Sequence, residues 1–158
     1  MRNFFFGLGV IAAALVGAIT VGTVVVVRNG AGLDAESKAI VNDYVVNIAG
    51  HWDSDALWQR ATPRFQTTTS REEMRAFFTA AQGALGSLIA LRDTRGGVTM
   101  AFFNSSKSIS ATYIARGAFE KGDADLQIAM LKVGPNWLIE GFHIASPELM
   151  KNLIRVRS

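Results

Sequence analysis

The chain has 158 residues, no cysteine, 16 basic and 13 acidic residues, and a formal charge of +3. This length suits one domain with a real core, and the missing thiols exclude disulfides, thiolate metal sites and cysteine nucleophiles. The pI near 9.6 hints at nucleic acid, but Arg2 and Arg28 flank an apolar run. Without those two the remainder carries only +1, with signs interspersed, so a phosphate-binding face is not expected and no nucleic acid partner is read.

Residues 4–27 carry no charge and no proline. As a helix they would measure about 36 Å, against a hydrocarbon core of about 30 Å. The run therefore reads as a membrane span, and residues 1–28 as an N-terminal anchor. A cleavable signal has a shorter apolar region before a small-residue site. Cutting after Ala12-Ala13-Ala14 would leave an apolar tail, whereas a cut near Gly30-Ala31-Gly32 is the competing possibility. Positive charge before the span favours a cytoplasmic N-terminus and a domain on the extracytoplasmic, periplasmic side. Ala14, Ala18 and Gly22 form a small-residue ridge through which two spans could pair.

Residues 29–33 read as a flexible linker and 34–148 as the folded domain. A helix is predicted over 34–49, from Ile40, Val41, Tyr44, Val45 and Ile48 at helical spacing. Asp53 or Ser54 should cap a short second helix carrying Leu57 and Trp58, with Pro63 at or beyond its end. Ser70 and Glu73 make a capping box for a third helix, whose stripe is Met74, Phe77, Phe78, Ala81 and Leu85. The period then changes to two. Strands are expected over 87–93 and 98–103 around Gly96-Gly97, and over 109–119, 125–133 and 137–145. In the 109–119 strand, Ile109, Ala111, Tyr113, Ala115 and Phe119 should face the core. Residues 149–158, with Lys151, Arg155 and Arg157, read as a basic tail. Helices first and an antiparallel meander after them are the order of an α+β domain, three helices laid on one face of a curved sheet.

The stretches HWDSDALWQRATPRF, TSREEMRAFF and FEKGDADLQIAMLKVGPNWLIEGFHIAS, in that order, resemble the nuclear-transport-factor-2-like (cystatin-like) α+β cone superfamily. The resemblance spans about residues 34–146 and is similar to small bacterial members that carry an N-terminal signal or anchor. It implies a cone fold. The superfamily holds isomerases, cyclases and dehydratases beside many members without catalysis, so it implies no reaction.

Glu140 and His143 lie three apart in the last strand. In a regular strand they face opposite sides: His143 with Trp137, Ile139 and Gly141, Glu140 with Leu138, Phe142 and Ile144. A bulge at Gly141 would let them share a face and act as an acid–base pair. His51, Asp53 and Asp55 are better explained by helix capping than by metal binding. No phosphate loop, nucleophile elbow or zinc motif occurs. No catalytic residue, metal ligand or cofactor is therefore assigned.

Tyr44, Trp58, Tyr113, Trp137 and His143 are the candidate lining of an apolar pocket with a polar tip. The expectation is a membrane-anchored extracytoplasmic binding or interaction module. It has the membrane as one partner and a possible homodimer through the outer sheet face or the small-residue ridge. The alternative is a small lyase, cyclase or isomerase acting on an apolar substrate. An enclosed cavity with a carboxylate at its floor would favour the enzyme, and a filled interior the module.

Overall fold

The computed structural model describes residues 31–155. The expected anchor over 4–27 and the ridge of Ala14, Ala18 and Gly22 lie outside the described residues. Among the described residues no helix is long and apolar enough to cross a membrane.

The described chain is α+β. Helix α1 is Ala31–Tyr44, continued by a π-helical turn at Val45–Ala49. Helix α1 thus takes in three residues read as linker. Gly50 closes the turn, its N–H bonding the carbonyls of Val45 and Val46. Helix α2 is Ser54–Gln59, and the cap is Asp53, whose side chain accepts from the Ala56 N–H. Pro63 does not end α2. It opens a further helix, α3 (Pro63–Thr68), at a position where a missing N–H costs nothing, and Thr62 caps it. Helix α4 is Arg71–Leu85, with both halves of the Ser70/Glu73 capping box formed.

Four strands follow: β1 Leu88–Phe103, β2 Ser106–Phe119, β3 Gly122–Val133 and β4 Asn136–Ala145. They form one antiparallel sheet in sequence order. Gly96-Gly97 does not interrupt β1, which runs through it as one long strand. Gly96 has φ +147°, and a Cβ there would overlap the Thr112 carbonyl of β2. The glycine pair thus permits close approach within a strand rather than a turn. The turn lies later, at Asn104 and Ser105, both with positive φ, as a tight hairpin demands.

Residues read as a basic tail instead begin with a helix, α5 (Pro147–Arg155). Ser146 Oγ accepts from the N–H groups of Glu148 and Leu149, and Leu149 is 3% exposed in the core. That burial is worth roughly 1.5–3 kcal/mol, so the folded unit extends past residue 148.

The core lies between the helices and the inner sheet face. Val41, Val45 and Ile48 of α1 and its π turn, and Phe77, Phe78 and Ala81 of α4, meet Tyr113, Ala115, Leu126, Ile128 and Phe142 of the sheet. The inward set of β2 is the one its alternation predicts, with Ile109 at the core's margin. Trp52 stacks on Phe119 with centroids 5.6 Å apart and meets Phe78 edge-on at 5.8 Å. Its φ of +49° is uncommon for a bulky residue, and its indole N–H donates to the Gly86 carbonyl at 2.6 Å.

The regular alternation expected in β4 does not hold. The register with β3 pairs Ala129 with Gly141 and Met130 with Ile139, leaving Glu140 as the extra, bulged residue. Trp137 and Ile139 point inward before the bulge, Phe142 and Ile144 after it. His143 therefore leaves the side of Trp137 and Ile139. It lies beside Gln127 on the outer face, half-buried.

Candidate functional site

The structure brings Tyr44 and Trp137 together, and two residues that the sequence did not single out, Glu36 and Lys132, join them. Trp137 is 1% exposed. Its carbonyl accepts from the Tyr44 hydroxyl at 2.7 Å, and its indole N–H donates to Glu36 Oε1 at 3.1 Å. Lys132 Nζ stands 5.1 Å from the Trp137 ring centroid and 3.1 Å from the same Glu36 oxygen. The sequence places these groups simply. Glu36 and Tyr44 lie on α1, and Lys132 and Trp137 face each other across the β3–β4 hairpin. The Lys132 ammonium first, and the indole N–H second, hold the Glu36 carboxyl below the usual carboxylate range. Burial raises the Tyr44 phenol above its ordinary value, so the hydroxyl stays a donor at neutral pH.

Beside this cluster a groove of about 490 Å³ opens between α1, the end of α2 and the start of β4. Ile40, Tyr44, Pro135 and Leu138 give it apolar walls, and Asp43 and Arg60 give it charge. The Arg60 guanidinium sits 5.6 Å over the Tyr44 ring and donates to the Ala56 carbonyl at 3.0 Å. It is pre-positioned by a cation–π contact and a helix-end bond.

The other candidates lie elsewhere. The Tyr113 hydroxyl is buried under the start of α1, 2.7 Å from Ser37 Oγ and 3.0 Å from the Asp34 carbonyl. Burial raises its pKa, and it ties α1 to β2. Trp58, half-buried on α2, packs its ring beneath the Arg71 guanidinium at the start of α4, 5.8 Å away. His143 lies on the outer sheet face. The five residues therefore do not line one pocket.

Nor do Glu140 and His143 form a pair. The bulge turns the Glu140 carboxylate toward the loop before α3, where Thr62 Oγ1 donates to it at 2.5 Å and Arg64 stands at 3.6 Å. Among the described residues no hydrogen bond or ion pair joins Glu140 to His143. The same loop docks on the edge of β4: the Thr62 N–H bonds the Ile139 carbonyl at 2.9 Å, and the Ile139 N–H bonds the Arg60 carbonyl at 2.7 Å. Residues 60–62 thus cover part of a sheet edge that would otherwise be open.

Trp137, Tyr113, Phe65, Phe78 and Phe142 are fully buried and fill the space between helices and sheet. Among the described residues no buried side-chain nitrogen or oxygen lacks a hydrogen-bond partner, and no three His, Asp or Glu cluster as metal ligands would.

Glu36, Lys132 and Arg60 were the missed participants. Glu36 falls outside the apolar stripe that predicts its helix, and nothing local in the sequence marks Lys132 or Arg60. No protein-family model, curated protein or solved structure matches this chain.

Proposed function

We propose that this chain is a membrane-anchored, extracytoplasmic binding module that uses the Tyr44–Arg60 groove, and that its fold is a small cone of the nuclear-transport-factor-2-like kind. The observation that carries the binding reading is the contrast between interior and groove. The interior is filled by large side chains, and among the described residues every buried polar side-chain atom is partnered, whereas the groove leaves an apolar wall and a held guanidinium on its rim. Such a site takes an apolar group that ends in an anion, from a small ligand or a partner's side chain. The apolar run over 4–27 supports the anchor, and the helix-then-meander order supports the cone.

A photo-crosslinking residue at Asn136, on the groove rim, tests the binding reading in intact cells. The expected result is one discrete adduct that Arg60→Ala removes. A pattern unaffected by Arg60→Ala, and equal to that from the same group at exposed Thr79 on α4, would contradict the groove as the site.

A further inference from the structure

Helix α1 and strand β1 run alongside one another in opposite directions. Asp34 Oδ1 accepts from the Val98 N–H at 2.7 Å, and Thr94 Oγ1 donates to Asn42 Oδ1 at 2.7 Å. From Asp34 to Asn42 a helix rises about 12 Å, and from Val98 back to Thr94 a strand covers about 13 Å. The near match means that the two axes are close to parallel lines. The start of α1 and the tip of the β1–β2 hairpin therefore lie at the same end of the domain.

That end carries exposed apolar side chains. Phe102 and Phe103, at the hairpin tip, are 47% and 62% exposed. Val133, at the end of β3, is 47% exposed and lies at the same end, since Leu131 pairs with Ser110 and Ser110 with Thr99. The hairpin from Thr94 to Phe119 contains Arg95, Lys107 and Arg116 and no acidic residue.

Reach connects these features. The tip lies about 17 Å beyond Val98. Helix α1 begins about 5 Å beyond Asp34. Between it and the end of the apolar run at Val27 stand only Arg28, Asn29 and Gly30, so the four steps from Val27 to Ala31 reach at most about 14 Å. With α1 along the membrane normal, a chain leaving a bilayer at Val27 keeps the hairpin tip, about 12 Å beyond the start of α1, within reach of that bilayer's surface.

We infer that the β1–β2 hairpin tip is a second membrane contact: Phe102 and Phe103 enter the interface of the bilayer that holds the anchor, with Lys107 at the headgroups. Phenylalanine suits the apolar side of the interface, and an exposed basic residue beside it suits anionic lipid. The contact fixes the domain's orientation and turns the outer sheet face and the groove in set directions relative to the membrane. It rests on the anchor reading.

The absence of cysteine allows a single label. The full chain carrying Ser105→Cys with a nitroxide is reconstituted in vesicles of phosphatidylcholine and phosphatidylglycerol, and relaxation by oxygen and by a water-soluble nickel chelate is compared. Oxygen should outweigh nickel several-fold at residue 105. The order should reverse for a label at Ile89→Cys, which lies toward the other end of β1, and also at residue 105 on a Phe102→Ser/Phe103→Ser background. A chain that floats with the vesicles while its residue 105 label is as open to nickel as the Ile89 label would overturn the tip contact alone. A label shielded from both relaxants would overturn it in favour of a second copy of the chain packed on the tip. Failure to float would overturn the anchor and the tip contact together.

Discussion

The Glu140 carboxylate and the Thr62 hydroxyl, 78 residues apart in the chain, meet at 2.5 Å. The same Thr62 oxygen accepts from the Phe65 N–H at 3.1 Å. One hydroxyl therefore caps α3 and anchors the bulge of β4.

This arrangement decides how the two polar residues of β4 respond to mutation. Thr62→Val should cost roughly 1–2 kcal/mol through the lost cap. Thr62→Val and Glu140→Gln should couple, because they act on one bond, whereas Glu140→Gln and His143→Gln should add within roughly 0.5 kcal/mol. Double-mutant cycles by urea denaturation check both. Strong Glu140–His143 coupling would contradict the structure.

Trp137→Ala should be among the most damaging single changes. The ring is buried, and its loss should cost roughly 3–5 kcal/mol. Trp137→Phe keeps most of the volume and removes the bond to Glu36, so it should cost far less. A small effect from the alanine variant would mean that the ring does not hold the β3–β4 hairpin to α1.

Gly96→Ala should destabilise although Gly96 is exposed. The strained φ alone is worth roughly 1–3 kcal/mol, and the added methyl would press on the Thr112 carbonyl. Gly134→Ala, at φ +60° with open space around it, should cost less. Thermal melts of the two variants make the comparison, and equal melting points would contradict the close approach at Gly96.

Two carboxyls should make stability fall in acid. Glu36 is held low by Lys132 and Trp137. Glu120 is held low by the Ser87 backbone N–H, 2.8 Å away, with a smaller contribution from the Ser87 side chain. A carboxyl whose pKa is lower in the folded than in the unfolded chain binds fewer protons when folded. Its stabilisation is complete above the unfolded value and drains as pH falls through the lowered folded one. Urea midpoints should therefore drop as pH falls through and below the ordinary carboxylate range, and Glu36→Gln with Glu120→Gln should flatten that dependence.

What the sequence made legible was local. The Ser70/Glu73 box, a cap at Asp53 or Ser54 (Asp53 in the structure) and the alternation of β2 each depend on residues within a few positions of one another, and each stands in the structure. The glycine pair in β1 misled because a glycine that ends a strand and one that lets a neighbouring backbone approach read alike. Lys151, Arg155 and Arg157 suggested a tail because the burial of Leu149 rests on long-range packing that no local pattern shows. The bulge at Glu140 and the bond from Tyr44 to Trp137, 93 residues apart, are long-range contacts that no local period encodes. The same holds for Arg60, whose place over Tyr44 follows from docking residues 60–62 on the edge of β4.

We propose that a folded domain is held outside the cytoplasm by an uncleaved N-terminal span. The direct measurement is labelling of a Thr79→Cys chain, whose only thiol lies on the exposed side of α4, with a membrane-impermeant maleimide in intact cells whose outer envelope is permeabilised. Mass spectrometry of the labelled product follows. Full labelling from outside is expected, on a chain that stays in the membrane fraction and retains residues 4–27. A chain beginning near Ala31, or a thiol that reacts only after the cytoplasmic membrane is broken, would contradict it.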